Sequence, residues 1–298
     1  MAVLSACRAD DPFVCDSDAQ CVRSGLPAGK CEASRNCSFP DIDCTSTGRR
    51  YDDLANHSGE CVLDEDQDMI ADDGDNCPGM ANAEQYDEDN DERGDICDPC
   101  PPFGELLEGA GDDDGDGVGN LCDPNPMGPN SILFFEGFHT PLSPMWSVTG
   151  GGALVENDGL VLQNTADATL PVMSGGTEVL TVGVRMAAAP TIGVFLGLPY
   201  NASGGAYCEL TTAKLQLWAI AAPNKLLSEA AYNAKVDKDY IYSIHRGASM
   251  QYRCAVRAGA TTVAVETMGT SLVAPTSAAI HIGTDATTRF PWVMLVKN

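Results

Sequence analysis

Between Asp64 and Asp123 the spacing Asp-x-Asp-x-Asp occurs three times, and each time a further aspartate stands eleven positions after the first. The first frame is Asp64, Asp66, Asp68 and Asp75, the second Asp87, Asp89, Asp91 and Asp98, and the third Asp112, Asp114, Asp116 and Asp123. From Leu63 to Pro126 there are 22 Asp and Glu against one Arg, which accounts for −21 of the chain's net charge of −26. Like charge at this density, with few apolar residues among it, ordinarily keeps a segment open and disordered. The regular spacing points to a different solution. In a tight loop, alternate carboxylates turn inward, and Ca²⁺ takes about six to eight oxygens at roughly 2.3–2.6 Å. Four carboxylates, a mid-loop carbonyl and water meet that demand. An EF-hand fits poorly, because the closing residue is Asp instead of a bidentate Glu and Pro and Cys stand where flanking helices would be.

The first two frames lie in DEDQDMIADDGDNCPGMANAEQ and YDEDNDERGDICDPC, and here the chain resembles the thrombospondin type 3 repeat family. The resemblance rests on Asp75-Asn76-Cys77-Pro78, Asn82, Gln85 and Gly94-Asp95-Ile96-Cys97-Asp98. The third frame, DDDGDGVGNLCD, departs by carrying Asn120 where Gly-Asp is usual, and the element before it is reduced to DPCPP. The resemblance implies three or more calcium ions at the core of an extended arm, with carbonyls at Ile70, Arg93 and Val118 completing the shells. It also implies disulfides joining Cys77 to Cys97 and Cys100 to Cys122. Each would close a loop of about twenty residues and restrain the unfolded chain by roughly 3 kcal/mol. A zinc knuckle is the competing use of Cys97-Asp98-Pro99-Cys100, but no second pair has matching spacing and carboxylate-rich loops favour hard cations.

Thirteen cysteines in 298 residues indicate an oxidising compartment, extracellular or at the outer surface of a bacterium. Leu4-Ser5-Ala6-Cys7 has the form of a lipobox, which would make Cys7 a lipidated residue anchoring the chain to the outer membrane. The apolar stretch of about 7–15 residues that a signal peptide needs does not precede it, so residues 1–7 are at most the remnant of one. Removing Cys7 leaves an even set that can pair fully. Residues 8–62 read as a disulfide module too small to fold readily on a hydrophobic core, with three bridges among fifteen possible connectivities. Its CEASRNCSFPDIDCTSTGRRY segment resembles the cysteine-rich leaders of secreted and lipoprotein chains of predatory soil bacteria, a resemblance without an assigned activity. Arg49 and Arg50 read there as solvated turn residues.

The calcium repeats are assigned to residues 63–123 and a Pro-rich linker to 124–130. From residue 131 to 298 the composition shifts to Val, Ala, Thr, Leu and Gly, the part able to build a core. Short apolar and β-branched runs bounded by Gly, Pro and Asn predict about ten to twelve antiparallel strands, with clear alternation over 179–185 and 240–245. That pattern suits a mainly β chain ending in a two-sheet, jelly-roll-type sandwich. Cys208 and Cys254, each in a strand, are expected to bridge neighbouring strands. The order of ILFFEGF with Trp146, GLVLQ, VGVRM, LQLWAI and FPWVMLVKN is similar to that of concanavalin-like and laminin G-like sandwiches, in which one sheet is a common glycan site.

Catalysis has little support in the sequence. No Glu-x-Asp-x-x-Glu strand or Gly-x-Ser-x-Gly elbow occurs, and Glu136, Glu156, Asp158, Glu178, Glu209, Glu229 and Glu266 are scattered singly. His57, His139, His245 and His281 share no ligand spacing and read as strand-surface or turn residues. Of Trp146, Trp218 and Trp292, most are expected in the core. A glycan surface would need one ring exposed beside an amide such as Asn157, Asn164, Asn201 or Gln216. The strongly acidic balance disfavours nucleic acid. The expected role is therefore non-enzymatic adhesion, with an extracellular polysaccharide, a surface protein or another copy of the chain as partner. The alternatives are a structural filament subunit and a glycan hydrolase with two acids facing one cleft.

Overall fold

The computed structural model describes residues 13–104, 111–172, 177–201, 204–247, 251–267, 272 and 279–297. Cys7 lies outside them. The chain divides into two compact units, Met1–Pro101 and Pro102–Asn298, so the first two aspartate frames belong to one unit and the third to the other. Among the described residues no α-helix occurs, and no helix is long and apolar enough to cross a membrane.

The first unit opens on three short antiparallel strands, β1 (Lys30–Cys31), β2 (Cys37–Pro40) and β3 (Arg49–Tyr51), paired in that order. Three disulfides take the place of a core: Cys15–Cys31, Cys21–Cys37 and Cys44–Cys61. Cys15, Cys21 and Cys37 pack with Phe39, while Tyr51, Ala55, Val62 and Ala71 form a second small cluster. The two arginines are not solvated turn residues. Arg49 lies on β3 and donates to the buried carboxylate of Glu32 at 3.3 Å and to the Ser38 carbonyl at 2.7 Å. Arg50 pairs with Asp41 at 2.5 Å. A carboxylate taken out of water needs a counter-charge, and Glu32 recruits Arg49 for that reason.

The second unit is an antiparallel β-sandwich. Its strands are β4 (Ser131–Glu136), β5 (Ser147–Val155), β6 (Leu160–Pro171), β7 (Glu178–Met186), β8 (Val194–Asn201), β9 (Gly204–Leu210) and β10 (Lys214–Ala219). They continue with β11 (Lys225–Ala231), β12 (Asp239–Arg246), β13 (Tyr252–Ala258), β14 (Thr261–Glu266), β15 (Ala279–Thr284), β16 (Thr288–Phe290) and β17 (Val293–Lys297). One sheet runs β5-β6-β15-β8-β9-β10-β11 and the other β4-β17-β7-β12-β13-β14, with β16 pairing to both β6 and β7 along one side. The two-residue period of β7 and β12 puts Leu180, Val182, Val184, Tyr240, Tyr242 and Ile244 inside, where they meet Leu196, Cys208, Leu217 and Ile282 of the facing sheet.

Two of these strands escape the sequence pattern. β11 is built of Lys, Leu, Ser, Glu and Ala, which carry little β preference, and it is held as an edge by pairing with β10. β16 is only three residues long. Cys208 and Cys254 are bonded, but not between neighbouring strands: β9 and β13 lie in opposite sheets, and the bridge crosses the core. Alternation explains this, since both residues take inward positions on strands that face each other. The bridge closes a separation of 46 residues. Replacing both cysteines by Ala should lower the sandwich's stability by about 4 kcal/mol through the freed loop entropy. Guanidinium unfolding followed by tryptophan fluorescence checks this, and an unchanged midpoint would exclude it.

Candidate functional site

Each aspartate frame folds around its first member. In the first loop Asp64 Oδ1 accepts from the N–H of Gln67 at 2.7 Å and Oδ2 from Met69 at 3.2 Å, while Asp68 Oδ1 accepts from Ile70 at 2.8 Å. The second loop repeats the scheme, with Glu92 N–H on Asp87 at 3.0 Å and Arg93 N–H on Asp91 at 3.0 Å. In the third, Gly115 and Gly117 donate to Asp112 at 2.8 and 2.9 Å and Val118 to Asp116 at 2.8 Å. Ile70, Arg93 and Val118 thus take equivalent places. The closing residues Asp75, Asp98 and Asp123 each accept from the N–H two positions on, at 2.8, 2.7 and 2.6 Å.

Asn120, the departure from the repeat pattern, does the work of the aspartates it replaces. Asp113 N–H donates to Asn120 Oδ1 at 3.2 Å, as Glu65 does to Asp72 and Glu88 to Asp95, both at 2.8 Å. Asn130 supplies the other end. Its N–H donates to Asp116 and its amide to Asp123 Oδ1, in the way that Asn82 N–H donates to Asp68 at 2.8 Å and the Gln85 amide to Asp75 at 2.7 Å. Asn130 stands fourteen positions after Asp116, as Asn82 does after Asp68, so this end of the Pro-rich segment is tied into the third frame.

In every frame the Asp-x-Asp-x-Asp oxygens lie within 4.8 Å of one another. The oxygens turned inward are the ones left over: Oδ2 of Asp66, Asp75, Asp89 and Asp123 is buried without a hydrogen-bond partner. Burial, and then the neighbouring Asp68, pushes the Asp66 carboxyl up. Burial and Asp91 push Asp89 up to about 7. Asp112 moves the other way, held low chiefly by the Gly117 N–H. A hard divalent cation suits this donor set, because it would satisfy the orphaned oxygens and reverse the repulsion. The cysteines around the frames are oxidised: Cys77 is bonded to Cys97, and Cys100 and Cys122 are also in disulfides, which removes the thiols a zinc knuckle would need.

The loops differ in one respect. Their fourth and sixth residues have left-handed backbone, at φ of 65° and 81° for Gln67 and Met69 and 60° and 79° for Asn90 and Glu92, whereas the third loop has glycine at both places. Gly117→Ala should therefore cost about 1 kcal/mol, and Met69→Gly should recover a similar amount. Thermal unfolding of the two variants, which should move in opposite directions, checks this.

A second constellation lies on the outward face of the first sheet. Registers align Thr169, His281, Gly197, Tyr207 and Trp218 in one row across β6, β15, β8, β9 and β10. The next row holds Asp167, Gly283, Phe195, Glu209, Gln216 and Glu229. Tyr207 and Trp218 are half-buried with parallel rings, 5° apart in plane and 6.3 Å between centroids, and Phe195 meets Tyr207 edge-on at 6.2 Å. His281 Nε2 lies 2.9 Å from Asp167 Oδ1. The absence of a side chain at Gly283 permits that pair, since a Cβ there would stand 2.2 Å from the same oxygen. Gln216 donates to Glu229 at 2.9 Å. Glu209 is buried, and its carboxyl is pushed up by burial and then by Asp285, which is itself held by the N–H groups of Thr191, Ile192 and Gly193.

Of the three tryptophans, Trp146 joins the core, Trp292 is buried against Phe103 at 5.6 Å, and Trp218 faces outward beside Gln216. Asn157 and Asn164 are not part of this row, and the Asn201 side chain lies outside the described ones. The carboxylates that look scattered in the sequence meet here because Glu209 and Glu229 sit on strands flanking β10. Only the outward parity of each strand signals this, and parity cannot reveal which strands are neighbours.

No family model matches the chain, and no curated protein matches it by sequence. Among solved structures it is similar to a beta-1,3-glucanase from Mycobacterium marinum, at 11% identity over 55% of this chain and 98% of that one, with a TM-score of 0.42. It is also similar to the metal-free carbohydrate recognition domain of Emp46p (9% identity, 51% and 87% of the chains, TM-score 0.40). The carbohydrate-binding module CBM66 from Bacillus subtilis gives 12%, 49% and 91%, with a TM-score of 0.38. At these scores the likenesses carry no argument about function, which rests on the site itself.

Because burial raises the folded-state pKa of Glu209, its ionisation opposes folding. That penalty is absent below the unfolded carboxylate value and grows as pH rises through the folded one. Glu209→Gln should accordingly gain stability over the parent protein as pH rises from about 4 towards neutrality. Denaturation midpoints at both ends of that range test it, and a pH-independent difference would exclude it.

Proposed function

We propose that this chain is an extracellular calcium-binding protein whose β-sandwich binds glycans in adhesion. One observation carries the reading of the sandwich: the parallel Tyr207 and Trp218 rings stand in register with Gln216, Glu209 and the His281–Asp167 pair on one outward sheet face. Sugars present apolar C–H faces between hydroxyls. A stacked pair of aromatic rings beside an amide, carboxylates and a histidine offers both kinds of contact.

The calcium reading is supported by the repeated cage and its orphaned inward oxygens. Asp64, Asp66, Asp68 and Asp75, then Asp87, Asp89, Asp91 and Asp98, then Asp112, Asp114, Asp116 and Asp123 would hold the ions, with the Ile70, Arg93 and Val118 carbonyls and water completing each shell. Calcium would supply the counter-charge that these loops lack. The disulfides among the described residues fit a compartment outside the cytosol.

Hydrolysis is a second reading, favoured by the buried, raised Glu209 carboxyl on the same face as Asp167 and Asp285. Release of reducing ends from β-glucans, lost in Glu209→Gln, would establish it.

Calorimetric titration with calcium should find three or more ions, and Asp89→Asn with Asp91→Asn should remove one while leaving the sandwich folded. Limited proteolysis should show protection of residues 63–126 in calcium and cleavage in chelator. On a panel of polysaccharides, Trp218→Ala should weaken binding about tenfold or more. Equal binding by parent and variant would overturn the glycan reading, and no calcium heat would overturn the other.

A further inference from the structure

The second sheet presents a different outward face. In the same unit, Phe103 and Leu121–Pro124 meet it, and a groove of about 300 Å³ runs between them and strands β7, β12, β13 and β14. Registers give the groove a floor of small residues, Thr181, Ser243 and Ala255, flanked by a row with Val179, His245 and Arg253 and a row with Ile241, Arg257 and Thr262. Arg253 and Arg257 are four residues apart on one face of β13, which separates their Cα atoms by about 13 Å. Ala255 between them leaves the space open.

The charges in this groove are unusual for so acidic a chain. Arg23, Arg35, Arg49, Arg50, Arg185 and Arg246 each hold a carboxylate, and Arg289 is held by the carbonyls of Asn157 and Asp158. Arg253 and Arg257 form no ion pair among the described residues, although Glu266 stands across from Arg253 in the register. The Arg257 guanidinium lies 5.3 Å over the Phe103 ring, which fixes its stem and leaves its donors uncommitted. Beside them the His245 Nε2 is buried without a partner. Asp123, the closing carboxylate of the third frame, is on the opposite wall.

We infer that this groove is a binding site for an acidic saccharide, separate from the aromatic face, with Arg253 and Arg257 taking its carboxylate or sulfate groups and Ser243, Thr181 and Thr262 its hydroxyls. Two guanidiniums set at the ends of a floor of small residues match a short chain with repeated anionic groups, since guanidinium binds carboxylate and sulfate oxygens through paired donors. The inference deepens the glycan-binding reading and uses its calcium frames at one point. Asp123 contributes negative charge to the groove unless a cation covers it, so occupancy of the third frame and of the groove should reinforce each other.

Calorimetry of the full chain with trigalacturonate, its fully methyl-esterified form and a sulfated disaccharide tests this. The acid should bind, the ester at least about tenfold more weakly, and Arg253→Gln and Arg257→Gln should each lose about tenfold for the acid. Stronger binding of the sulfated probe than of the uronate would assign the anion as sulfate. Arg185→Gln, at an arginine already paired with Asp239, should leave acid binding unchanged. Because Arg257 also touches Phe103, Arg253→Gln is the decisive variant. Equal binding of acid and ester, or an unaltered Arg253→Gln, overturns the site. Failure of calcium to bind leaves the arginine comparison intact, so the two readings fail separately. Acid affinity that is the same in calcium and in chelator, when calcium is shown to bind, overturns the coupling alone.

Discussion

Neutralising the crowded aspartates is the constraint on which the rest of this molecule depends. The 22 acids between Leu63 and Pro126 have almost no apolar side chains to hold them together. Backbone N–H groups do part of the work, wrapping Asp64, Asp87 and Asp112 in the first turn of each loop. The remainder shows as buried oxygens without donors and as carboxyls pushed upward, most at Asp89. The protein supplies no donor to these oxygens, and protonation or a counter-charge would relieve them. Disulfides restrain the same segment, but they act on chain entropy and do nothing for the repulsion.

How much of this was legible follows from how local each feature is. The convergence of each Asp-x-Asp-x-Asp set could be read because its carboxylates fall within a few residues, and local spacing fixes which of them meet. Most strands could be read because inward and outward residues alternate. Asn130 was hidden by its neighbours, Pro and Gly, which look like a linker although the residue itself repeats the position of Asn82. The aromatic face and the cross-sheet disulfide were not legible, because parity gives the face of each strand but not its neighbours or which strand lies opposite. Glu32 with Arg49 belongs to the same class: a buried ion pair between residues 17 apart leaves no periodic trace.

The two outward faces of the sandwich are treated differently, and side-chain character explains it. The first sheet turns out Asp167, Thr169, Gln216 and Glu229 with three rings, a mixture stable in water. The second turns out Met294 and Val296, each 1% exposed, and Trp292 lies buried beside Gly183. Residues so apolar on an outward face require a cover. Phe103 provides part of it, against Trp292 on one side and under Arg257 on the other. The third frame therefore folds with the sandwich and not with its two siblings.

That placement also bears on the arginines. In a chain with 17 basic against 43 acidic residues, an arginine left without a carboxylate goes against the prevailing electrostatics, because acceptors are abundant. Arg253 and Arg257 hold no carboxylate among the described residues even so: on the inner strand β13, His245 and Glu266 flank Arg253, Ser243 and Ala264 flank Ala255, and Ile241 and Thr262 flank Arg257. The acids of the third frame approach the groove through Asp123, whose own Oδ2 is buried without a hydrogen-bond partner. The segment that covers the apolar sheet thus also brings the third frame's closing carboxylate to the groove wall, with one oxygen buried, while Glu266 is the acid that faces Arg253 across the register.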